Sequence, residues 1–305
     1  MRLFVTGGTG AIGGHAVPAL VAAGHEVRAL ARGEDKARTL AGEGAEPIAV
    51  SLFDRDGLAA AFDGCEAVVN LASALPSSAS FVRRSAWAQC TRIRTEGSAA
   101  VVDAALRAGV ERLVQESVVM IYRDQGDRWI DEHAEVDRYP IAEGNHAAEA
   151  SARRFTDAAG AGVTLRFGLF YGPGAAHSEQ FVAMGRRHVG VVFGHPDTYL
   201  SSIHLDDAAS AVVAALSVPA GTYNIVDDEP VTRRVHADAI AHAVGADAWV
   251  RAPGRAALLL GDRTTSMTRS LRVDNGAFRS VSGWAPSHRS VREGYVSMVG
   301  QLCGG

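Results

Sequence analysis

Short apolar runs alternate with longer amphipathic segments along the first half of the chain. Strands are predicted for the runs RLFVTG, EVRALAR, AEPIAVSL, EAVVNLAS, ERLVQESVV and VTLRFGLFYG. Helices are predicted for the segments between them, AIGGHAVPALVAAG, DKARTLAGEG, RDGLAAAFDGC, TEGSAAVVDAALRAG and HAAEASARRFTDAAG. Strands separated by helices at this spacing indicate an α/β protein with a parallel sheet that is covered on both faces.

The alternation changes after residue 174. Residues 175–200 show no regular apolar pattern and are predicted to be irregular. Beyond them the pattern predicts a short strand and a helix in SSIHLDDAASAVVAAL, a strand in GTYNIVDD, a helix in TRRVHADAIAHAVG and a loop in GDRTTSMTRSLRVDN. We therefore expect two parts. Residues 1–174, to which about 201–226 return, form the larger part, and residues 175–305 mainly form a smaller, discontinuous C-terminal part.

A glycine-rich stretch, VTGGTGAIGG, joins the first predicted strand to the first predicted helix. Gly7, Gly10 and Gly13 fall there in G-x-x-G-x-x-G spacing. Glycines at these points allow a tight turn and a close approach of a pyrophosphate, which then lies at the N-terminus of the helix. The larger part is therefore predicted to be a Rossmann, doubly wound nucleotide-binding domain, and the smaller part to bind the substrate. The alternative is a glycine-rich turn with a structural role only.

The end of the second predicted strand indicates which dinucleotide binds. An NAD site places an acidic side chain there, for the 2′-hydroxyl of the adenosine ribose. Ala31 occupies that position and Arg32 follows it. The acidic Glu34 and Asp35 come later, in the loop. Because arginine pairs with phosphate through charge-assisted hydrogen bonds, Arg32, assisted by Lys36, favours NADP and NADPH over NAD. The alternative is that Arg32 is a solvated surface charge.

Composition and charge exclude several classes of protein. The 305 residues are 47% hydrophobic, which is enough for one large domain with a smaller one attached. The formal net charge is -4 and no block of like charge occurs, so nothing electrostatic favours nucleic acid or an anionic membrane as a partner. No apolar run reaches the length of about 18 residues that a membrane-spanning helix needs. The start, MRLFVTGGTG, predicts a strand and a glycine loop rather than a signal peptide.

The use of lysine and cysteine indicates the kind of genome and the cellular compartment. Lys36 is the only lysine among 30 Lys and Arg residues, while alanine, glycine and arginine are frequent, which is typical of a GC-rich genome. Cys65, Cys90 and Cys303 are far apart and fit neither a metal-binding nor a disulfide spacing. This cysteine usage favours a protein of the reducing cytoplasm.

Together, these motifs resemble an extended or atypical short-chain dehydrogenase/reductase of the NAD-dependent epimerase/dehydratase family. The resemblance covers nearly the whole chain. Its matching stretches are TGGTGAIG in the cofactor loop, AVVNLAS in the fourth strand, AALRAGVERLVQESVVMIY before the active site, LRFGLFYGPG, SSIHLDDAASAVVAAL and GTYNIVDDEPVT. The resemblance implies a Rossmann sheet, a small C-terminal substrate domain and an oxidoreductase activity.

The resemblance also implies which residues contact the cofactor. These contacts carry over to Gly7, Thr9, Gly10, Ala11, Ile12, Gly13, Arg32, Leu52, Leu71 and Ala72, with the backbone of Phe167 and Gly168 beside the nicotinamide. Lys36, Ser73 and Asn145 are further candidate contacts of the cofactor. Asn145 has an amide that can bind a ribose hydroxyl. One position departs from the family pattern, because the asparagine of the family's fourth helix is Arg94 here.

The catalytic residues of the family are absent from the chain. The family carries Ser-Ser-x-x-Val-Tyr-Gly on the fifth strand and Tyr-x-x-x-Lys on the following helix. Val118 occupies the position of the working serine, and Ser117 lies one residue early. The helix holds Ile141 in place of the tyrosine and Asn145 in place of the lysine. No other alignment restores the motif, because the single lysine of the chain lies far away, in the second predicted helix.

Other side chains are candidates for the missing proton donor. Ser117 lies at the carboxyl end of the fifth strand and is the main candidate, with a structural hydrogen bond as the alternative. Tyr139 and His146 flank the lost motif, but His146 points about 100 degrees away from Asn145 on a helix. Tyr122 is expected to pack in the core.

His204, Asp206 and Asp207 lie close together in the sequence, as metal ligands often do. The resemblance makes this stretch a joint between a strand and a helix, with Asp206 capping the helix. We therefore expect no metal site.

These observations favour an NADPH-dependent ketoreductase with an atypical active site. Hydride transfer depends above all on proximity, whereas a general acid contributes about 10²- to 10⁴-fold. A ketone that is polarised by its own neighbouring phenol, or by an ordered water, can react without the tyrosine. The expected substrate is therefore the ketone of a phenolic aromatic polyketide, such as an angucyclinone, in antibiotic biosynthesis.

Two other functions stay open. A catalytically inactive NADP(H)-binding regulator or sensor would explain the loss of all three catalytic residues. A nucleotide-sugar epimerase or dehydratase comes third, because it needs the triad to remove a proton from an unactivated sugar. In each case the protein is expected to act as a monomer or a homodimer.

Overall fold

The computed structural model describes residues 1–77, 80–190, 192–247, 250–251, 261 and 264–304. The strands are β1 (Arg2–Thr6), β2 (Glu26–Leu30), β3 (Glu46–Ile48), β4 (Ala67–Asn70), β5 (Arg112–Val118), β6 (Trp129–Ile130), β7 (Ala161–Phe167), β8 (Leu169–Tyr171), β9 (Val189–Gly190), β10 (Tyr199–Leu200), β11 (Ser202–His204), β12 (Gly221–Ile225), β13 (Val231–Thr232), β14 (Val250–Arg251) and β15 (Arg272–Val273).

Twelve α-helices lie between or after these strands within the described residues. They are α1 (Gly13–Ala22), α2 (Glu34–Gly42), α3 (Arg55–Ala61), α4 (Ala88–Arg92), α5 (Ser98–Arg107), α6 (Glu143–Asp157), α7 (Ala176–Gly185), α8 (Leu205–Ala214), α9 (Arg233–Ala243), α10 (Thr265–Thr268), α11 (Gly276–Ser282) and α12 (Val291–Gly304). A π-helical turn, Ile93–Gly97, connects α4 to α5.

The central sheet is parallel and doubly wound. Within the described residues it has seven strands, in the order β12-β7-β5-β4-β1-β2-β3. The order reverses between β1 and β4, where β2 and β3 lie on one side and β5, β7 and β12 on the other. Asn70, at the end of β4, pairs with Thr6 on β1 and with Gln115 on β5. The predicted fold class is confirmed, and all carboxyl ends of the strands lie along one edge.

Apolar side chains cover both faces of the sheet, as expected for a parallel sheet between helical layers. On one face, α1 and α8 pack together over a cluster that includes Val5 and Leu165. On the other face, α3, α5 and α6 pack over a cluster that includes Phe4 and Leu113. The neighbours Phe4 and Val5 thus point to opposite layers, which is the alternation that a strand imposes.

The prediction that residues 175–200 are irregular is wrong. Ten of these residues form α7. Phe181 and Val182 on α7 pack with Ile240 on α9 in a small C-terminal cluster. Contact with the neighbouring helix therefore stabilises α7, although its sequence has only a weak local pattern.

The predicted sixth strand, VTLRFGLFYG, is divided into β7 and β8 at Gly168. After this residue the chain leaves the central sheet, and β8 pairs in parallel with β11. A Cβ atom on residue 168 would lie only 2.9 Å from the carbonyl oxygen of Ser201. A residue without a side chain therefore lets the two segments pass this closely.

Other predicted elements differ in extent. The predicted third strand, AEPIAVSL, is reduced to the three residues of β3. The predicted loop at 261–275 contains α10 and β15, and β15 pairs in parallel with β6. Residues 262 and 263 of this loop lie outside the described residues. These elements depend on partners that are far away in the sequence, which a local pattern does not reveal.

The C-terminal part contributes to two cores. Tyr171, Ile240 and Met298 belong to the small cluster between α7, α9 and α12. Phe278 on α11 and the following Trp284 instead belong to the main core, where α11 packs against β12. The division of the chain near residue 174 stays a prediction.

None of the helices among the described residues is both long and apolar enough to cross a membrane. Of the cysteines whose side chains the structure describes, Cys65 and Cys90 are buried free thiols. The side chain of Cys303 lies outside the described residues.

Buried histidines predict a loss of stability in mild acid. Burial lowers the pKa of His236 to about 3, with the charge of Arg233 as a further cause. Between pH 7 and pH 5 the unfolded chain therefore binds a proton that the native protein does not bind. The free energy of unfolding therefore decreases as the pH falls from 7 to 5, and His236 accounts for about 2 kcal/mol of this decrease.

The variant His236→Phe tests this expectation. Guanidinium unfolding at pH 7 and pH 5 should show that the loss of stability between the two pH values is smaller in His236→Phe than in the wild type, by about 2 kcal/mol. The control is His133→Phe, at an exposed histidine, which should keep the full loss. An unchanged loss in His236→Phe would contradict the role of this residue.

Candidate active site

The glycine loop packs directly on the end of β4. Gly7 has a φ of 74°, and a Cβ atom there would lie 2.5 Å from the carbonyl oxygen of Leu71. A Cβ atom on Gly13 would lie 2.1 Å from the carbonyl oxygen of Gly7. The amide of Gly10 donates to the same oxygen at 2.9 Å. Side chains at residues 7 and 13 would therefore force this turn open.

The loop fits the pyrophosphate of a dinucleotide. In the described part of the chain, the N–H groups of Ala11 and Ile12 have no backbone acceptor. Both precede α1, whose N-terminus carries a partial positive charge. Ala11 is exposed and Thr9 is half-buried. Unused amide donors at a helix start are the groups that bind phosphate in such folds.

The surface after β2 is basic at the point where the adenosine ribose would lie. Ala31 is buried at the end of the strand, and Arg32 is exposed next to it. Gly33, with a φ of 93°, is the N-cap residue before α2, in which Lys36 is half-buried. The carboxylate of Asp35 pairs with a neighbouring arginine, Arg38. Arg32 is thus available to an anionic group.

The remaining predicted cofactor contacts lie at or near the carboxyl ends of the strands. Leu52 follows β3, Leu71, Ala72 and Ser73 follow β4, and Phe167 and Gly168 stand at the end of β7. Hydrogen bonds between neighbouring strands hold this edge together. Thr6 Oγ1 donates to Asn70 Oδ1 at 2.5 Å, and Asn70 Nδ2 donates to Gln115 Oε1 at 2.8 Å.

The positions of the family's serine and tyrosine form an apolar patch. Val118 and Ile141 are both half-buried, and both pack against the cluster of Ile121, Tyr139 and Ala142. Neither aliphatic side chain can donate a proton. A substrate that lies here meets a hydrocarbon surface where the family presents two hydroxyl groups.

The position of the family's lysine is occupied by a buried polar cluster. Asn145 accepts a hydrogen bond from Arg94 Nη1, and Arg94 Nη2 pairs with Glu116 Oε1 at 2.8 Å. All three residues are buried. Burial raises the pKa of Glu116, and the charge of Arg94 offsets part of this effect. The other oxygen of Glu116, Oε2, is buried and has no hydrogen-bond partner among the described residues.

Ser117 is fully buried and points away from this cluster. Its Oγ donates to Glu149 Oε1 on α6 at 2.7 Å. Arg166 on β7 holds the same carboxylate with hydrogen bonds of 2.9 and 2.8 Å. Arg166 also donates to the hydroxyl of Tyr122, which in turn donates to Asn224. The predicted core position of Tyr122 is confirmed, and the geometry favours a structural role for Ser117.

Tyr139 and His146 are engaged by the backbone. The hydroxyl of Tyr139 donates to the carbonyl of Met120 at 2.7 Å. Burial raises the pKa of Tyr139 to about 12. His146 Nε2 lies 2.8 Å from the carbonyl oxygen of Asp137. Since both polar groups already have partners, neither is a ready substitute for the missing acid.

The histidine and aspartate groups after β11 form a structural joint. His204 Nδ1 accepts the amide of Asp206 at 3.2 Å, so the imidazole and not the predicted Asp206 caps α8. Asp207 accepts hydrogen bonds from the backbone and side chains of Ser287 and His288. The rings of His204 and His288 stack with centroids 4.0 Å apart. One nitrogen of each ring and a carboxylate oxygen of Asp207 lie within 4.8 Å of one another, so the expectation that no metal binds here stays a prediction.

Sequence reasoning missed the buried charges of the site. Glu116 and Glu149 are both buried at the interface between β5 and α6. One signal was available, since a glutamate inside the apolar run ERLVQESVV must be paired if the strand is buried. The sequence did not reveal the partners, which lie 22 and 17 residues away.

Residues 3–226 match the model of the NAD dependent epimerase/dehydratase family. The chain belongs to this family. A 3-diazoavenalumate denitrifying reductase from a Streptomyces species is 33% identical to it over 312 residues, which cover 96% of this chain and 99% of that protein. A 4-hydroxy-2-methyl-3-oxo-4-farnesyl-3,4-dihydroquinoline-1-oxide ketoreductase from Stigmatella aurantiaca is 37% identical over 124 residues, 41% of this chain and 35% of that protein.

Solved structures agree with the fold of the NAD dependent epimerase/dehydratase family. The UDP-glucose 4-epimerase of Thermotoga maritima has a TM-score of 0.83 at 20% identity and covers 100% of this chain, which covers 99% of the epimerase. At this identity the likeness concerns the fold alone. The family match and the relatives that are named as reductases indicate that the protein is an NAD(P)-dependent oxidoreductase, which uses a nicotinamide cofactor.

Substitution of Ser117 tests its role. Because Arg166 still holds Glu149 after Ser117→Ala, we expect a loss of about 1–3 kcal/mol in stability and a change in turnover of less than about threefold. Loss of a general acid would instead lower turnover by about 10²- to 10⁴-fold. Denaturant unfolding and the oxidation rate of the reduced nicotinamide cofactor check the two parts. Ser151→Ala, which removes a hydroxyl bonded to a backbone carbonyl of α6, is the control. A large loss of turnover in a stable Ser117→Ala protein would make Ser117 catalytic.

Proposed function

We propose that this protein is an NADPH-dependent reductase that transfers hydride to a small molecule without a proton donor from the family triad. The observation that carries this proposal is the apolar patch of Val118 and Ile141, with Asn145 beside it in place of lysine. The favoured acceptor is the ketone of a phenolic aromatic polyketide, such as an angucyclinone, in antibiotic biosynthesis. The relative named as a ketoreductase supports a carbonyl substrate.

The chemistry of such a ketone compensates for the missing acid. A phenol next to the carbonyl forms an internal hydrogen bond that polarises the C=O bond and stabilises the developing alkoxide. The protein then has to supply proximity, which is the larger part of the barrier reduction for a hydride transfer. The aliphatic patch suits the flat, apolar face of an aromatic polyketide, because burying such a surface is favourable.

The basic surface after β2 supports NADPH as the reductant. Arg32 is exposed beside the buried Ala31, where an NAD site would carry an acid. A 2′-phosphate within reach of Arg32 and Lys36 would gain charge-assisted hydrogen bonds. The buried free thiols of Cys65 and Cys90 support a reducing compartment such as the cytoplasm.

A second candidate acceptor is an aromatic diazo compound. The observation in its favour is the match over nearly the full length to a reductase that is named for a diazo substrate. Hydride that adds to the terminal nitrogen of an arenediazonium cation gives a neutral aryldiazene. The aryldiazene loses N₂ and leaves a C–H bond. The addition neutralises a positive charge, so it too requires no general acid.

A panel of acceptors distinguishes these proposals. We expect loss of NADPH absorbance with a phenolic polyketide ketone, and a rate lower by at least about 10²-fold with its O-methyl ether, which lacks the internal acid. Release of N₂ from an aryl diazo compound, with no turnover of either ketone, would select the second acceptor. Tight NADPH binding without turnover of any acceptor would contradict the reductase and favour a regulator.

Substitution of Arg32 tests the choice of cofactor. If Arg32 holds the 2′-phosphate, Arg32→Ala should raise the Kd for NADPH by about 10- to 100-fold, the worth of hydrogen bonds to a charged group. The Kd for NADH should not change. Nicotinamide fluorescence measures both values. The control is Arg38→Ala, which removes a nearby arginine that pairs with Asp35. Equal losses for NADPH and NADH would refute a 2′-phosphate site at Arg32.

A further inference from the structure

The polar cluster of Arg94, Glu116 and Asn145 has a buried atom with no hydrogen-bond partner among the described residues. Arg94 is 4% exposed and connects Asn145 on α6 to Glu116 on β5. One carboxylate oxygen of Glu116 is thereby paired. The other, Oε2, lacks a hydrogen-bond partner within the part of the chain that the structure describes. A buried acceptor of this kind is costly unless a donor reaches it.

The helix that carries Arg94 is distorted at this residue. Arg94 belongs to the π-helical turn Ile93–Gly97, which interrupts the helical stretch from α4 to α5. A turn of this kind is rare and frequently occurs at functional sites. Gly144 on α6 lies against it, and a Cβ atom there would be 3.1 Å from the Cβ atom of Arg94. Helix α6 therefore packs closely against the base of the Arg94 side chain and restricts its position.

The position of the cluster in the sheet identifies the donor. In a doubly wound sheet, a dinucleotide lies outside the carboxyl ends of the strands, across the point where the strand order reverses. The glycine loop follows β1, and Arg32 follows β2 on one side of it. The other half of the dinucleotide must therefore extend over β4 and β5. Glu116 lies near the carboxyl end of β5, on the same face as Val118.

We propose that Glu116 and Arg94 form the binding site for the nicotinamide ribose. Oε2 of Glu116 accepts a hydrogen bond from a ribose hydroxyl, and Arg94 holds the other oxygen of Glu116 while it provides the cation that Asn145 cannot provide. This inference rests on the proposed function, because it requires a nicotinamide cofactor. A guanidinium suits the task because it binds two acceptors with separate N–H groups, here Asn145 and Glu116.

Cofactor fragments separate this site from the rest of the cofactor. We expect Glu116→Gln to raise the Kd for NADPH by about 10- to 100-fold, as for the loss of a hydrogen bond to a charged group. The Kd for 2′,5′-ADP, which lacks the nicotinamide ribose, should change by less than about twofold. Calorimetry measures both without any turnover. Glu111→Gln, at an exposed position before β5, is the control and should change neither value.

Deoxy cofactors give the same test on the unaltered protein. NADPH analogues that lack the 2′- or the 3′-hydroxyl of the nicotinamide ribose should show which hydroxyl binds Glu116. The analogue that lacks this hydroxyl should bind the wild type more weakly than NADPH, by about the same factor as Glu116→Gln weakens NADPH binding. The same analogue should bind Glu116→Gln no more weakly than NADPH does, because the hydrogen bond is already lost. If both deoxy analogues bind the wild type as tightly as NADPH, the inference is overturned, while NADPH binding itself leaves the proposed function intact.

The charge of Arg94 is tested by moving it. Arg94→Asn should weaken NADPH binding as Glu116→Gln does, and Arg94→Asn/Asn145→Lys should recover most of it, because a lysine at residue 145 again places a cation beside Glu116. A merely structural Arg94 would lower the unfolding midpoint without changing the ratio of the Kd values for NADPH and 2′,5′-ADP. Failure of the double variant to recover binding in a stably folded protein would overturn this part. If the wild type binds 2′,5′-ADP but not NADPH, both the inference and the proposed function are wrong.

Discussion

Buried ion pairs fix the position of α6 on the sheet, and the geometry of the site depends on them. Glu149 on this helix is bound by Arg166 of β7, and Asn145, one turn earlier, is bound by Arg94, which pairs with Glu116 of β5. Breaking one partner of such a pair leaves an uncompensated charge and costs about 3–5 kcal/mol. The helix therefore cannot shift or rotate without a large penalty.

This arrangement places a cation at the site although the chain lacks the Tyr-x-x-x-Lys motif. Helix α6 has no lysine, but Arg94 of the neighbouring π-helical turn donates to Asn145, the residue at the lysine position. An arginine beside an asparagine would leave a buried positive charge, and Glu116 neutralises it. The three residues are thus a consistent set, since each would be unfavourable in this surrounding without the other two. Among the described residues, the hydroxyl positions show no such replacement. Val118 and Ile141 are apolar, and the polar groups nearest to them in the chain, Ser117 and Tyr139, are engaged elsewhere.

The fold could be predicted because its signals are local. Most strands of the central sheet and the helices after them have a clear apolar period, and the glycine spacing marks the turn between β1 and α1. The segment that became α7 has no comparable period, and its contacts with α9 lie more than fifty residues away. The break at Gly168 could not be predicted either, because it depends on the backbone of Ser201. The cofactor contacts of this loop stay a prediction, which rests on the same local spacing.

The chemistry of the site was only half predictable. The absence of Tyr-x-x-x-Lys follows from the residue count, because the chain has one lysine. Which strand face each residue occupies was less clear, since Glu116 and Ser117 are adjacent but point to different partners, Arg94 and Glu149. A one-residue difference along a strand reverses the direction of a side chain. This difference places Glu116 at the proposed cofactor site, whereas Ser117 binds only the carboxylate of α6.

The two proposed acceptors have a common physical requirement. Hydride addition to an ordinary ketone creates an alkoxide, which an apolar surface such as Val118 and Ile141 would destabilise strongly. A ketone with an internal phenol keeps the developing charge within its own hydrogen bond, and an arenediazonium loses its charge as hydride adds. Both reactions can proceed on a hydrocarbon surface, whereas proton removal from a sugar cannot. The apolar patch therefore selects for substrates by their charge in the transition state, and this selection, more than shape, separates such a reductase from an epimerase of the same fold.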